Sequence, residues 1–121
     1  MQSKSRRNAE GQLVTRAVLR AGSKLHLTDH VIGHIIGVSH ATVLRMRQGH
    51  YVLTKKPLEL AVLLIRLFES LDRTVCGDEQ SARSWLRSDN ALLGATPINK
   101  IQTVSGLTET VAYLETRSAR V

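Results

Sequence analysis

The chain has 121 residues, 42% of them hydrophobic but only 3% aromatic, and a formal net charge of +7. That length suits one compact domain or two very small ones. Its single cysteine, Cys76, excludes a disulfide framework and agrees with a reducing, cytoplasmic setting. No apolar run is long enough to span a bilayer, and the opening MQSKSRRNAEG is too polar to be read as a secretory signal.

The charge is unevenly placed. Residues 1–57 hold ten Lys or Arg against Glu10 and Asp29, a net of +8, whereas residues 58–121 hold seven against eight Asp or Glu, a net of −1. A basic front half suits a polyanion, and its near-neutral continuation suits a different task.

Taken in chain order, residues 1–9 are expected to be a disordered basic arm. From Gln12, the apolar positions Leu13, Val14, Ala17, Val18 and Ala21 recur at helical spacing until Gly22. Thr28 is an N-cap for a short helix carrying Val31, Ile32, Ile35 and Ile36, closed by Gly37. Ser39 caps the next helix, which has Val43, Leu44 and Met46 for packing and ends at Gly49. Pro57 stands at a helix start, before LELAVLLIRLFESL. That run is apolar almost all round, so it is either a central pillar or half of a dimer interface. Asp78 caps a helix through Trp85 and Leu86. Short pieces follow at Asn90–Leu93, stopped by Gly94, and at Thr96–Pro97, with a last helix from about Ser105 to Arg117. The expected fold is all-α, with a DNA-binding region over 10–56, a joint near 50–57 and a helical domain over 57–121.

The stretch DHVIGHIIGVSHATVLRMRQG, Asp29 to Gly49, meets the needs of a helix-turn-helix. Gly33 is small where two helices cross and Gly37 tolerates the turn. Ile32, Ile36, Val38, Val43 and Met46 lock the angle. The second helix presents Ser39, His40, Ala41 and Thr42 in its first turn, then Arg45, Arg47 and Gln48. Short donors and acceptors of this kind fit a major groove. Arg45, Arg47, His50, Lys55 and Lys56 are expected on backbone phosphates or guanine edges. A helical hairpin that only packs is the alternative.

His26, His30 and His34 fall at i, i+4 and i+8, a spacing that can align imidazoles, but no HExxH-type carboxylate lies between them, and no metal is expected. Arg66, Glu69, Asp72 and Arg73 read as solvated helical pairs. No nucleophile–base pair, double carboxylate or phosphate-cradling glycine loop stands out, so neither catalysis nor a cofactor is expected.

Gly77 to Glu115 carries a further pattern: Trp85-Leu86, Asn90, Leu93-Gly94, Pro97-Ile98, Thr103, Gly106 and Leu114. In these positions the chain resembles the toxin-binding domain of the Xre/MbcA/ParS antitoxins. The order of helix-turn-helix and apolar helix before it agrees with that family. The family often has Gly-Gly-x-x-Pro where this chain reads Gly94-Ala95-Thr96-Pro97. The resemblance implies an Xre-like helix-turn-helix followed by a helical toxin-binding domain. It implies an antitoxin that covers the active site of a RES-type, NAD-consuming toxin and represses its own operon. The partners so implied are the toxin and double-stranded operator DNA. A homodimer is expected from the apolar helix and from paired half-sites. Trp85, Leu86 and Leu93 are assigned to the core, and Arg87, Asn90 and the tail residues Arg117, Arg120 and Val121 to the toxin. The competing reading is a stand-alone helix-turn-helix regulator whose back half dimerises or senses a ligand.

Overall fold

A computed structural model describes residues 4–119 as seven helices: α1 Lys4–Lys24, α2 Asp29–Ile36, α3 His40–Arg47, α4 Lys55–Thr74, α5 Glu79–Arg87, α6 Pro97–Lys100 and α7 Val104–Ser118. The only extended pairing among them is an isolated antiparallel bridge between Asn90 and Ala95.

Two expectations about the first helix need correction. Residues 4–9, expected as part of a disordered arm, belong to α1. Extending a helix already nucleated costs little, and Lys, Arg and Ala are good helix formers. Gly22 does not stop α1 either; the helix runs past it to Lys24. Gly22 lies against Ile32, whose Cδ1 would be 2.6 Å from any Cβ placed there. This glycine therefore sets how closely α2 approaches.

The caps expected at Thr28, Ser39 and Asp78 are present, and Thr103, two residues ahead of the expected start near Ser105, is a further one. Thr28 accepts from the Val31 N–H, Ser39 from Thr42, Asp78 from Gln80 and Thr103 from Gly106. Each satisfies a donor that the first helical turn leaves without an intrahelical partner.

Helix α4 is the pillar. Ala61, Leu64, Leu67 and Leu71 are fully buried along it, and it packs against α1, α2 and α7. Val18, Leu25, Ile32 and Ile36 close one side of the core, while Leu107, Val111 and Leu114 close the other. Complete burial of such a side chain contributes about 1.5–3 kcal/mol. The pillar is thus common to both halves, and the joint expected near 50–57 precedes an element that both need. Arg66 does not form a pair along its own helix. It reaches α7, where Nε and Nη2 bond the two carboxylate oxygens of Glu115 at 3.0 and 2.7 Å. This fork holds the Glu115 carboxyl below its ordinary range and pushes the guanidinium further up.

Candidate functional site

The chain presents two surfaces. The first is built on α3. Gly33 and the turn after α2 fix its angle: the N–H groups of Gly37 and Val38 both donate to Gly33 O, at 2.8 and 3.0 Å. Gly37 has φ +78°, the left-handed conformation that glycine adopts without strain. A Cβ on Gly33 would lie 2.6 Å from Val38 O, so the turn can fold back only over a glycine. Ile32, Ile36, Val43 and Met46 are buried beneath it.

Of the expected reading residues, His40, Ala41, Arg45, Gln48 and His50 are exposed, and so are Lys55 and Lys56 at the start of α4. Ser39 is the N-cap, and its hydroxyl also meets the Thr42 hydroxyl at 3.0 Å. Arg45 lies over the Tyr51 ring, 5.6 Å from its centroid, and donates to His50 O at 3.4 Å. Lys56 faces Glu59 at 3.8 Å. Arg47 is placed differently from a free phosphate ligand: Nε and Nη2 bond Asp29 Oδ1 at 2.9 and 2.7 Å, tying the end of α3 to the start of α2. Leu44, assigned to packing, is 42% exposed instead. It follows Val43 directly, and adjacent helical residues do not share a face. An exposed aliphatic side chain on such a helix suits a thymine methyl.

The three histidines do not form one row, because α1 ends at Lys24 and α2 begins at Asp29. His26 sits in the turn between them with φ +55°. His30 stacks on His40 with centroids 4.0 Å apart, and His34 Nδ1 is 3.0 Å from Gln102 Oε1. Among the described residues no group of three His, Cys, Asp or Glu is arranged to hold a metal.

The second surface lies at the other end of α4. Asn90 makes a turn of the segment after α5: its Oδ1 accepts from the N–H groups of Leu92 and Leu93, at 3.0 and 3.2 Å, while its carbonyl accepts from Gly94 at 2.8 Å. Lys100 anchors the turn, donating to Leu93 O at 2.6 Å and pairing with Glu109 on α7. Leu93 is thereby buried and its neighbour Leu92 is left 73% exposed. A groove of about 660 Å³ opens beside it, with Thr74, Tyr113, Thr116 and Arg117 among its walls. Trp85 stacks on Tyr113 with centroids 6.3 Å apart, and it is half-buried rather than fully internal.

The residues expected to meet a partner here have internal duties. Arg87 donates to Arg83 O, Leu25 O and His26 O, so it caps the carbonyl end of α1. Asn90 holds its turn together. Arg117 belongs to the last turn of α7, not to a loose tail, and its guanidinium covers Tyr113 at 4.7 Å. Arg120 and Val121 lie outside the described residues. Leu92 escaped the sequence reading, yet the signal was present. Two leucines stand side by side in a four-residue turn, and only one of them can face the core.

A family model described as the antitoxin Xre-like helix-turn-helix domain matches residues 6–66. A second, the antitoxin Xre/MbcA/ParS C-terminal toxin-binding domain, matches residues 70–119. Among solved structures, the chain is similar to the crystal structure of the M. tuberculosis MbcT-MbcA toxin-antitoxin complex, at 21% identity and a TM-score of 0.67, covering 88% of this chain and 95% of that one. At this identity the likeness is one of fold. No curated protein matches the chain.

Proposed function

The chain belongs to the antitoxins that join an Xre-like helix-turn-helix to an Xre/MbcA/ParS C-terminal toxin-binding domain, and from that premise we propose that it neutralises a RES-type, NAD-consuming toxin by covering its active site and represses its own operon. The observation that carries the toxin half is Leu92, 73% exposed on a turn held by Asn90 and Lys100 beside an apolar groove. Tyr113 and Arg117 stand beside it in the groove wall, and tyrosine and arginine are enriched at protein hot spots. Arg117, over Tyr113 at the groove wall, supplies a cation there. Arg120 and Val121 contact the toxin in this proposal, Asn90 acts by holding the docking turn in shape, and Arg87 acts by tying α5 to the end of α1.

The DNA half rests on α3, whose outward side offers His40, Ala41, Leu44, Arg45 and Gln48 in a basic setting. Two copies binding paired half-sites would place two such helices in successive major grooves. The proposed homodimer has exposed aliphatic residues at its disposal in Leu13 and Val62. The protein itself performs no chemistry in this reading, and it acts in the cytoplasm; no described helix is long and apolar enough to cross a membrane.

The test is co-expression with the product of the adjacent reading frame, followed by co-purification and an NAD-consumption assay. A stable complex that consumes no NAD, with NAD loss resuming when the antitoxin is removed, is the expected result. A neighbour without NAD-consuming activity would overturn the RES assignment. Failure of the complex to retard a duplex from upstream of the operon would overturn autorepression. The same retardation assay over a range of protein concentrations, with sedimentation, reports the dimer.

A further inference from the structure

The exposed side of α5 forms a second basic feature, away from the Leu92 groove. A cleft of about 400 Å³ is lined by His26, Gln80, Arg83, Ser84, Arg87 and Ser88. It has no carboxylate in its wall. Arg83 Nη1 lies 2.9 Å from His26 Nε2. A guanidinium only donates, so His26 Nε2 is the acceptor in this contact. Arg87 brings a second guanidinium, bonded to three carbonyl oxygens. Neither arginine is in an ion pair among the described residues, whereas Arg66 and Lys100 in the same half are paired with Glu115 and Glu109. Asp78, at the start of α5, caps the helix and accepts from the Ser81 hydroxyl; it also attracts Arg83 electrostatically, but it is neither ion-paired with it nor part of the cleft wall. Two cations therefore face a concave surface with hydroxyl and amide groups around them and no anion inside it.

Its position decides what that anion is. His26 is two residues from Thr28, the cap of α2, and a two-residue step spans at most about 7 Å. The start of α2 lies along α3: His30 stacks on His40, the first residue of α3, and Asp29 holds Arg47, its last. The cleft thus lies one short turn from the start of α2, which itself packs along the helix proposed to read DNA. A duplex lying on α3 carries its phosphates at about 3.4 Å intervals of axis on each strand, so its backbone continues past the edge of the groove. We propose that the cleft between the α1–α2 turn and α5 binds a backbone phosphate of the operator, so that Arg83 and Arg87 of the toxin-binding domain form a second DNA contact. This rests on the DNA-binding reading of α3.

The experiment measures affinity of the full chain for a duplex from upstream of its operon across a salt series. Variants are Arg83→Gln, Arg83→Lys, Ser84→Glu and, as a probe of α3, Arg45→Ala. Each lost phosphate contact should flatten the slope of log affinity against log salt by about 0.9. Arg83→Gln is expected to flatten it by about that amount, Arg83→Lys to keep it, and Ser84→Glu, which puts a carboxylate in the cleft, to weaken binding at least as much. Thermal unfolding establishes that the variants are folded. Unchanged slope and affinity in folded Arg83→Gln and Ser84→Glu overturn the proposal, and if Arg45→Ala still weakens binding, the reading of α3 survives without it. Absence of DNA binding by the parent chain overturns both. If Arg83→Gln weakens toxin co-purification while DNA binding is untouched, the cleft serves a carboxylate of the toxin and the proposal is wrong. Inhibition of DNA binding by millimolar free phosphate at constant ionic strength, lost in Arg83→Gln, distinguishes a pocket for free phosphate from one that needs the polymer; the latter is expected.

Discussion

Replacing Gly106 with alanine adds one methyl group where α6 and α7 come closest. Its Cβ would lie 1.9 Å from Lys100 O, 2.8 Å from Lys100 C and 2.8 Å from Thr103 Oγ1. A carbon and a carbonyl oxygen do not approach within 3 Å, so backbone must move by about 1 Å in a close-packed interior. Forced overpacking of this kind costs about 1–3 kcal/mol. The Thr103 cap, which accepts from the Gly106 N–H at 3.1 Å, is strained by the same shift, and a lost cap costs about 1 kcal/mol. Alanine's better helix propensity returns about 1 kcal/mol. The net is a destabilisation of about 1–3 kcal/mol. For a chain of 121 residues, each kcal/mol moves the midpoint by about 4 °C, so Tm should fall by about 4–12 °C. Circular dichroism during thermal unfolding reads this directly. Ser105→Ala, at the exposed neighbouring position, is the control and should stay within about 0.5 kcal/mol of the parent. A Gly106→Ala protein that melts with the parent would refute the close approach and the α6–α7 geometry derived from it.

Leu92→Asp should reduce toxin inhibition by more than tenfold without lowering Tm, because the side chain is 73% exposed; equal inhibition by the variant would remove Leu92 from the interface. Arg47→Ala should cost at most about 1 kcal/mol of stability through loss of the partly exposed Asp29 pair, with a smaller loss of DNA affinity than Arg45→Ala, and the reverse order in a binding isotherm would show that Arg47 leaves Asp29 for DNA. The Glu115 carboxyl has a depressed pKa in the folded chain, first because Arg66 donates to it. The stability it contributes is therefore complete above the unfolded carboxylate value near 4.5 and is lost as pH falls through the lower folded value. Arg66→Gln should flatten the denaturation midpoint against pH in that window alone, and an unaltered profile would count against the fork. A fragment beginning at Leu58 loses Val18, Leu25, Ile32 and Ile36 from the core; it should lack a cooperative unfolding transition, and a sharp transition would mean that the toxin-binding half stands by itself.

The caps made the fold legible. Thr28, Ser39 and Asp78 each mark a helix start by local chemistry, and Gly37 marks a stop because the backbone there needs a positive φ. Gly22 misled for the opposite reason: its role is a distance to Ile32, which only the tertiary structure reveals. The helix-turn-helix was legible from charge and spacing, but whether a charge is free was not. Arg47 meets Asp29 eighteen residues away, Arg66 meets Glu115, and Arg87 meets the end of α1. Each of these partners is set by how helices cross. The toxin-binding segment was found by resemblance, and its exposed leucine, Leu92, emerged only once Asn90 and Lys100 had fixed the direction of the turn.

Helix α4 packs against α1 and α2 on one side and α7 on the other, and this bears on how the protein is removed from a cell. A protease that needs an unfolded segment cannot destroy one half and spare the other, because opening the pillar exposes the Leu-rich interior of both. Toxin release and loss of the proposed operon repression then become one event with one rate, set by global unfolding rather than by two independent local openings. Under the proposed autorepression, a cell that degrades this antitoxin frees the toxin and, in the same step, restarts synthesis of its antidote. Substitutions that loosen either end of α4 should change both outputs together, and the time between toxin release and renewed transcription should not lengthen as turnover is made slower.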